Sequence, residues 1–253
     1  MSTPSHFDLA SPAEALSWLV EMGADEIIME QPMDRFADSA KLVSAKPAPK
    51  LEIKSAPAPK PSVPCAPTTD VSGLHSIADI AQALNFMDTH PLRKNASKLA
   101  FFEGPERAEV LILADRPRNE EDKAGLVFAG KSRILLTNML AAINLRLEDV
   151  ALMNLIPWRP PGNRAPTEAE ISAVLPFARR ALELARPRLI LAFSALPAQH
   201  LVGADPSILR QRGKWQALGE AALLSTLHPD ELLKFPLQKK LAWRDLLTFK
   251  EKL

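Results

Sequence analysis

Four short apolar runs alternate with segments of helical periodicity in the C-terminal part of the chain. The runs cover 110–114, 150–156, 189–193 and 222–227, and helical periodicity covers 132–143, 168–185 (with Thr167 as N-cap) and 237–249. Apolar strands separated by helices are typical of a parallel sheet covered on both faces. The pattern predicts an α/β fold, a three-layer sandwich whose central four-stranded parallel sheet is flanked by helices with right-handed crossovers.

The N-terminal part has a different composition. Helical spacing of apolar residues over 11–22 predicts a short helix, whereas 47–67 contains seven prolines among Ala, Lys and Ser. We therefore expect an N-terminal helical appendage over 1–45, a disordered Pro/Ala/Lys-rich linker over 46–73, and a folded α/β domain over 74–253. A protein partner is one possible role for the appendage.

Composition limits the class of protein. A single cysteine, Cys65, among 253 residues excludes an internal disulfide framework and points to a reducing compartment. There is no leader-like N-terminus and no run of about 18 apolar residues, so we expect a soluble, cytoplasmic protein with no membrane contact, monomeric by default. The net charge of +1 divides into −4 for 1–73 (6 basic, 10 acidic) and +5 for 74–253 (25 basic, 20 acidic), which permits a polyanionic partner.

The predicted strands end in polar residues. Open parallel sheets bind ligands beyond the carboxyl ends of their strands. Asp115 follows the first strand, Asn154 lies near the end of the second, and His228 follows the fourth. An acid, an amide and an imidazole are therefore expected on one edge of the sheet. Phe128 and Arg159 occupy the loops after the first and second strands.

One motif on this edge suggests a different chemistry. Residues 125–132, G-L-V-F-A-G-K-S, match the phosphate loop of nucleotide hydrolases. An acidic segment, 119–124, precedes the motif where a strand is required, and bulky side chains fill a loop that normally exposes backbone N–H groups. A phosphate-loop hydrolase is therefore the least favoured of three functions, and the other two follow from a family resemblance.

Four separated motifs, in the right order over 74–253, carry a more specific resemblance. Residues 154–164, N-L-I-P-W-R-P-P-G-N-R, are close to T-N-x-V-x-x-R-P-P-G-N-R, and F-A-G at 128–130 is like P-F-V-G. L-H-P at 227–229 with Leu232-Leu233 is like H-P-A-Y-L-L, and R-G-K-W at 212–215 matches R-G-x-W. These motifs resemble the uracil-DNA glycosylase superfamily, specifically its bacterial iron-sulfur (family 4) branch.

The resemblance implies a DNA-repair hydrolase that flips deoxyuridine out of the duplex, releases uracil and leaves an abasic site. Asp115, His228 and Asn154 would be catalytic, with Phe128, Asn154 and His228 binding uracil. No lysine stands out as a Schiff-base nucleophile, so a monofunctional glycosylase is expected. DNA would be bound by basic loop residues and an apolar wedge: Arg159, Arg164, Arg210, Arg212, Lys214 and Leu232, with Leu233 beside it.

Two departures from the family pattern matter. The four cluster cysteines are replaced by Met87, His90, Trp158 and Val174, so no iron-sulfur cluster, metal or organic cofactor is expected, and Trp158 is predicted to be a buried filler. The family's G-E-A-P-G is A-D-R-P-R at 114–118, with Arg118 in place of a glycine. A catalytically impaired module that binds DNA or an abasic site is therefore the second alternative.

Overall fold

The computed structural model describes residues 71–253. The predicted appendage over 1–45, its helix over 11–22 and nearly all of the linker lie outside the described residues. The folded part is built around a six-stranded mixed sheet in the order β1-β3-β2-β4-β6-β5. The strands are β1 (Phe102–Glu103), β2 (Val110–Ala114), β3 (Ala151–Asn154), β4 (Leu189–Phe193), β5 (Trp215–Leu218) and β6 (Ala221–Thr226).

The four predicted strands are present as β2, β3, β4 and β6, and they pair in parallel. The prediction of a four-stranded, wholly parallel sheet is nevertheless wrong, because β1 and β5 add antiparallel edges to β3 and β6. Neither edge strand contains a fully buried residue. Without a continuous apolar run, they carry no hydrophobic signal of the kind that marks the inner strands.

Helices cover both faces of the sheet. They are α1 (Ile77–Asn85), α2 (Pro91–Asn95), α3 (Asn119–Ala124), α4 (Gly130–Ala142), α5 (Glu168–Ala185), α6 (Leu196–Val202), α7 (Ile208–Gln211), α8 (Pro229–Lys234) and α9 (Lys239–Lys250). Short 3-10 turns cover Leu147–Asp149, Pro161–Asn163 and Pro236–Gln238. The helix predicted over 168–185 is confirmed with its cap, because the Thr167 side chain accepts from the N–H of Glu170. The last helix begins two residues later than predicted, after the third turn.

Alternation along β2 shows how the layers are held together. Leu111 and Leu113 pack in an apolar cluster with α1 and α5, whereas Ile112 and Ala114 pack in a second cluster with α4 and α9. Successive strand residues point to opposite faces, so both faces of β2 are covered. Full burial of such a side chain contributes about 1.5–3 kcal/mol. The observed arrangement is a three-layer α/β/α sandwich.

The chain order fixes the position of the functional edge. β3 lies on one side of β2 and β4 on the other, so the direction of strand addition reverses at β2. Such a reversal opens a crevice at the carboxyl ends of the strands. Asp115 is the residue immediately after β2. Within residues 71–253, no helix combines the length and apolar character needed to cross a bilayer.

Candidate active site

Asp115 follows β2 at the strand reversal and is buried, with 3% of its surface exposed. Both carboxylate oxygens are occupied: Arg116 Nη1 lies 2.5 Å from Oδ2, and Arg118 Nη1 lies 2.9 Å from Oδ1. Burial alone would raise the pKa of this carboxyl, but the charges of Arg118 and Arg116 more than offset it and hold the pKa below its usual value. Asp115 is therefore ionised at neutral pH.

Asn154 ends β3, and the strand register places it beside Ala114. It is fully buried, and its Nδ2 donates to the carbonyl of Ala100 at 2.8 Å. Because a carbonyl oxygen only accepts, this contact fixes the orientation of the amide and directs Oδ1 away from Ala100. Oδ1 is buried without a hydrogen-bond partner among residues 71–253. An unpaired buried acceptor costs about 1–3 kcal/mol, so this atom marks a place where a donor would bind.

His228 follows β6 and caps α8. Its Nδ1 accepts from the N–H of Asp230 at 3.1 Å, which leaves the proton of the neutral ring on Nε2. Burial, with the charge of Arg118 next, holds the pKa of this fully buried histidine well below its usual range. His228 is thus a neutral donor. Its Nε2 is the second buried atom here that has no partner within the described part of the chain.

Phe128 is fully buried between the two other rings of the site. It stacks on His228, with ring centroids 5.4 Å apart and planes inclined by 22°, and meets the edge of Phe193 at 5.8 Å. The backbone around it is held on both sides. Arg133 Nη1 donates to the Phe128 carbonyl at 3.0 Å, and the N–H of Val127 donates to Glu103.

Glu103 and Arg133 also pair with each other at 2.9 Å, and both are functional candidates that the sequence reasoning missed. Arg133 lies in the first turns of α4, and Glu103 lies on the two-residue strand β1. The two residues are 30 positions apart, so no local pattern reveals that they meet. The pair stiffens the loop that presents Phe128.

Ser194 follows β4 on the same edge and has a left-handed backbone with φ of 76°. A non-glycine residue in this region carries strain, which concentrates at functional sites. Its Oγ is buried and has no partner within 71–253. The third parallel strand therefore also ends in a polar atom available to a ligand.

The segment 125–132 does not form a phosphate loop. Gly125 is the left-handed cap (φ 76°) at the end of α3, so the segment follows a helix where a phosphate loop follows a strand. Val127 and Phe128 are fully buried, and the Ser132 hydroxyl donates to the Ala129 carbonyl at 2.7 Å. The geometry argues against the nucleotide-hydrolase alternative.

Arg118 has extended backbone angles, φ −100° and ψ −172°, so its position does not require a glycine. Its N–H donates to Glu121 Oε2 at 2.7 Å and is not free to approach a ligand. Its guanidinium bridges Asp115 and Asp230, the latter through Nε at 2.9 Å. Glu121 is buried, and burial raises the pKa of its carboxyl to about 7. Neither the bridge nor the buried glutamate was predicted.

The arginines predicted to contact DNA differ in their partners. Arg159 Nε donates to Asn163 Oδ1 at 2.8 Å, and Arg210 pairs with Asp205 at 2.8 Å on the surface. Lys214 is exposed. Arg164 forms a two-pronged pair with Glu170, at 2.6 and 2.8 Å, which holds the pKa of that glutamate near 2.

Arg212 is largely buried, and its guanidinium pairs with Asp245 at 2.8 Å, while Asp245 also accepts from Thr226. Gly213 is required beside this network: it has φ of 68°, and a Cβ there would lie 2.7 Å from Asp245 Oδ1. The R-G-x-W motif thus ties α9 to β6. This geometry favours a structural role for Arg212, and we leave it out of the proposed DNA interface.

The structure buries Leu232, the predicted wedge. Its side chain is 1% exposed and packs in the apolar cluster on the α4 and α9 side of the sheet, so this conformation does not present it to a duplex. α8 turns the next residue outward: Leu233 is 38% exposed. One helical step separates the core face from the solvent face, and the sequence motif does not define which leucine faces out.

The four positions of the cluster cysteines do not fit an iron-sulfur cluster. Trp158 is fully buried with its ring 4.8 Å from that of His90, and Val174 and Met87 belong to the same apolar cluster. Both ring nitrogens of His90 face backbone partners, the N–H of Leu92 and the carbonyl of Glu170. A thioether, an indole, an isopropyl group and an engaged imidazole supply no thiolate. Residues 71–253 contain no group of three or more His, Cys, Asp or Glu side chains placed to hold a metal.

Fold and site together define the class of protein: a three-layer α/β protein with a buried polar site at the strand reversal. The family model described as uracil DNA glycosylase superfamily matches residues 101–247. The chain belongs to this superfamily.

Relatives agree with that membership. The Type-4 uracil-DNA glycosylase of Thermotoga maritima is 34% identical over 148 residues, which cover 57% of this chain and 76% of the relative. The protein of the same name from Saccharolobus solfataricus is 33% identical over 192 residues, 72% of this chain and 88% of the relative. That from Pyrobaculum aerophilum is 31% identical over 170 residues, 64% and 87% of the two chains.

Proposed function

We propose that this protein is a DNA-repair glycosylase that hydrolyses the N-glycosidic bond of a flipped-out deoxyuridine, releasing uracil and leaving an abasic site. The observation that carries the proposal is a pair of buried, unpartnered atoms at the strand ends: the acceptor Asn154 Oδ1 and the donor His228 Nε2. Uracil offers the complementary pair, the N3–H donor and the O2 acceptor. The related glycosylases support the same chemistry.

Base selection follows from the fixed amide. Asn154 Nδ2 is anchored on Ala100, so Oδ1 accepts from N3–H of uracil and the second amide hydrogen donates to O4. Cytosine presents an acceptor at N3 and a donor at C4, which opposes both contacts. A site that loses buried hydrogen bonds discriminates strongly. Phe128 provides a stacking surface, a contact worth about 1–3 kcal/mol per base.

His228 and Asp115 supply the charge stabilisation for bond cleavage. Negative charge grows on uracil O2 as the base departs, and a neutral Nε2–H donates to it without losing its proton; removal of such a donor typically costs about 3–4 kcal/mol. The Asp115 carboxylate, held ionised by Arg116 and Arg118, stabilises the positive charge that develops on the sugar. The leaving uracil takes the bonding electron pair, water adds its oxygen to the sugar carbon, and the proton that this water loses balances the charge of the uracil anion.

Access to this site requires movement. Asn154, Phe128 and His228 are each fully buried, so a base reaches them only when the surrounding loops open. Arg159, Arg164, Arg210 and Lys214 are the proposed phosphate contacts, and Leu233 is the proposed wedge. We further propose a monofunctional, monomeric, cytoplasmic enzyme that needs no cofactor, and a protein partner for residues 1–45.

One observation favours a second candidate, the catalytically impaired module that binds DNA or an abasic site. Both oxygens of Asp115 are occupied by arginine, which leaves the carboxylate poorly placed to orient water. Binding of uracil-containing duplex without release of free uracil would support this alternative.

A variant series tests the assignment of the site. Asn154→Asp removes the amide donor and His228→Ala removes the donor to O2, and each should slow uracil release from a duplex with one U by about 10²–10³-fold. Asn138→Asp, at an exposed position of α4, is the matched control and should behave as wild type. Thermal melts of each variant verify folding. Release at the wild-type rate by both site variants would refute the assignment.

A further inference from the structure

Arg118 lies between the two loops that carry the proposed catalytic groups. We propose that Arg118 is a positioning residue that ties the Asp115 loop to the His228 loop and thereby sets the charge of the acid and the proton position of the histidine. This inference rests on the proposed glycosylase function. It gives a role to the residue that most clearly departs from the family's glycine-ended motif.

The guanidinium contacts both loops. Nη1 lies 2.9 Å from Asp115 Oδ1, and Nε lies 2.9 Å from Asp230 Oδ2. Nη1 also donates to the Arg116 carbonyl at 2.6 Å, and the backbone N–H is held by Glu121. The side chain is 23% exposed. Contacts at its guanidinium and at its backbone N–H together define its position. A planar, five-donor guanidinium can bridge two carboxylates in this way, whereas an ammonium cannot reproduce both contacts in a fixed plane.

The Asp115 contact governs the role of the acid. With Arg118 on Oδ1 and Arg116 on Oδ2, Asp115 stays ionised and its basic lone pairs are engaged. Such a carboxylate acts as a fixed negative charge near the sugar more readily than as a proton acceptor. Without Arg118, one oxygen would become free and the buried charge would retain only one partner.

The Asp230 contact governs the histidine. The backbone N–H of Asp230 donates to His228 Nδ1, which places the ring proton on Nε2. Holding the Asp230 side chain keeps this N–H aligned at the start of α8. Arg118 thus acts on the orientation of His228 through Asp230, and its charge also lowers the pKa of the ring.

Other charged groups lie close to Asp115 and His228 and affect the titration of both. Glu120 and Glu121 come from α3, Glu231 and Lys234 come from α8, and Arg116 comes from the Asp115 loop. Arg118→Gln replaces the guanidinium with a shorter, uncharged polar group, so the contacts to both loops are lost. Arg116→Gln is the matched control, because it removes the other guanidinium from Asp115 without touching Asp230.

A double-mutant cycle tests the link. Single-turnover uracil release and DNA dissociation constants are measured for wild type, Arg118→Gln, Asp230→Asn and the double variant. We expect each single change to slow the chemical step by about 10- to 100-fold with little change in DNA affinity, and the double variant to be no slower than the slower single. Arg118→Lys should recover part of the rate. Additive losses, or a loss of affinity with an unchanged rate, would overturn the proposal.

A second readout does not depend on activity. In the free protein, NMR follows the carboxyl carbon of Asp115 and the ring nitrogens of His228 through a pH titration. We expect Arg118→Gln to move the Asp115 titration to higher pH and to mix the two His228 tautomers, while Arg116→Gln leaves the tautomer unchanged. Identical titrations and tautomers in wild type and Arg118→Gln would refute the link. If wild type releases no uracil, the proposed function fails, and this measurement still decides the positioning role.

Discussion

Replacement of Glu121 by Gln should remove a large part of the pH dependence of stability between pH 5 and pH 8. Glu121 is 1% exposed, and burial, only partly offset by the N–H and charge of Arg118, raises the pKa of its carboxyl from 4.5 to about 7. The ionised form is therefore disfavoured in the folded protein. The stability that this group contributes is full below about pH 4.5 and is lost as the pH rises through about 7.

The magnitude follows from the two pKa values. At about 1.4 kcal/mol per tenfold change in proton affinity, a rise from 4.5 to about 7 corresponds to about 3 kcal/mol in total. Between pH 5 and pH 8, about 2–3 kcal/mol of this is lost by wild type. Glu121→Gln has no ionisable group here and should lack that loss.

Urea denaturation at pH 5, 6, 7 and 8 measures the effect as the free energy of unfolding. The matched control is Glu106→Gln, a change at an exposed glutamate before β2, which should keep the wild-type pH dependence. If the free energy of unfolding changes equally with pH in Glu121→Gln and in wild type, Glu121 is ionised in the folded protein throughout this range. The burial argument for this carboxyl would then be wrong.

Three further predictions separate structural from functional residues. Leu232→Ala should destabilise the fold by about 2–5 kcal/mol in urea denaturation, whereas Leu233→Ala should change stability by less than about 1 kcal/mol but slow uracil release from duplex DNA; the opposite pattern would restore Leu232 as the wedge. Trp158→Ala should cost about 3–5 kcal/mol by the same measurement, and a negligible loss would refute its role as a core filler. Arg212→Gln should destabilise the fold by about 3–5 kcal/mol and leave the salt dependence of DNA binding unchanged. Arg159→Gln should lower the slope of log binding constant against log salt concentration by about 1, and a reversed outcome would place Arg212 at the phosphates.

The inner strands could be predicted because each is an apolar run buried on both faces. β2 and β4 match the predicted 110–114 and 189–193 at both ends. The edge strands β1 and β5 could not, because each is short, only partly buried and contains no continuous apolar segment. They are strands only because β1 pairs with β3 and β5 pairs with β6, and such pairing depends on the tertiary structure.

The candidate site shows the same division. Asp115, Asn154 and His228 were accessible from sequence because parallel strands bring their carboxyl ends to one edge. The residues that orient them were not, since their partners are distant in the chain: Arg118 meets Asp230, and Asn154 meets Ala100. The sequence motif also does not define side-chain direction within one helical turn, so it does not tell the buried Leu232 from the exposed Leu233.

Uracil release by the wild-type chain is the most direct test of the central claim. Two end-labelled duplexes of identical sequence, one with a single U and one with C at that position, are incubated with excess protein, and abasic sites are revealed by alkaline cleavage. The complementary pair at Asn154 and His228 predicts free uracil and strand scission for the U duplex and neither for the C duplex. Binding to the U duplex with no release of uracil, or equal cleavage of both duplexes, would contradict it.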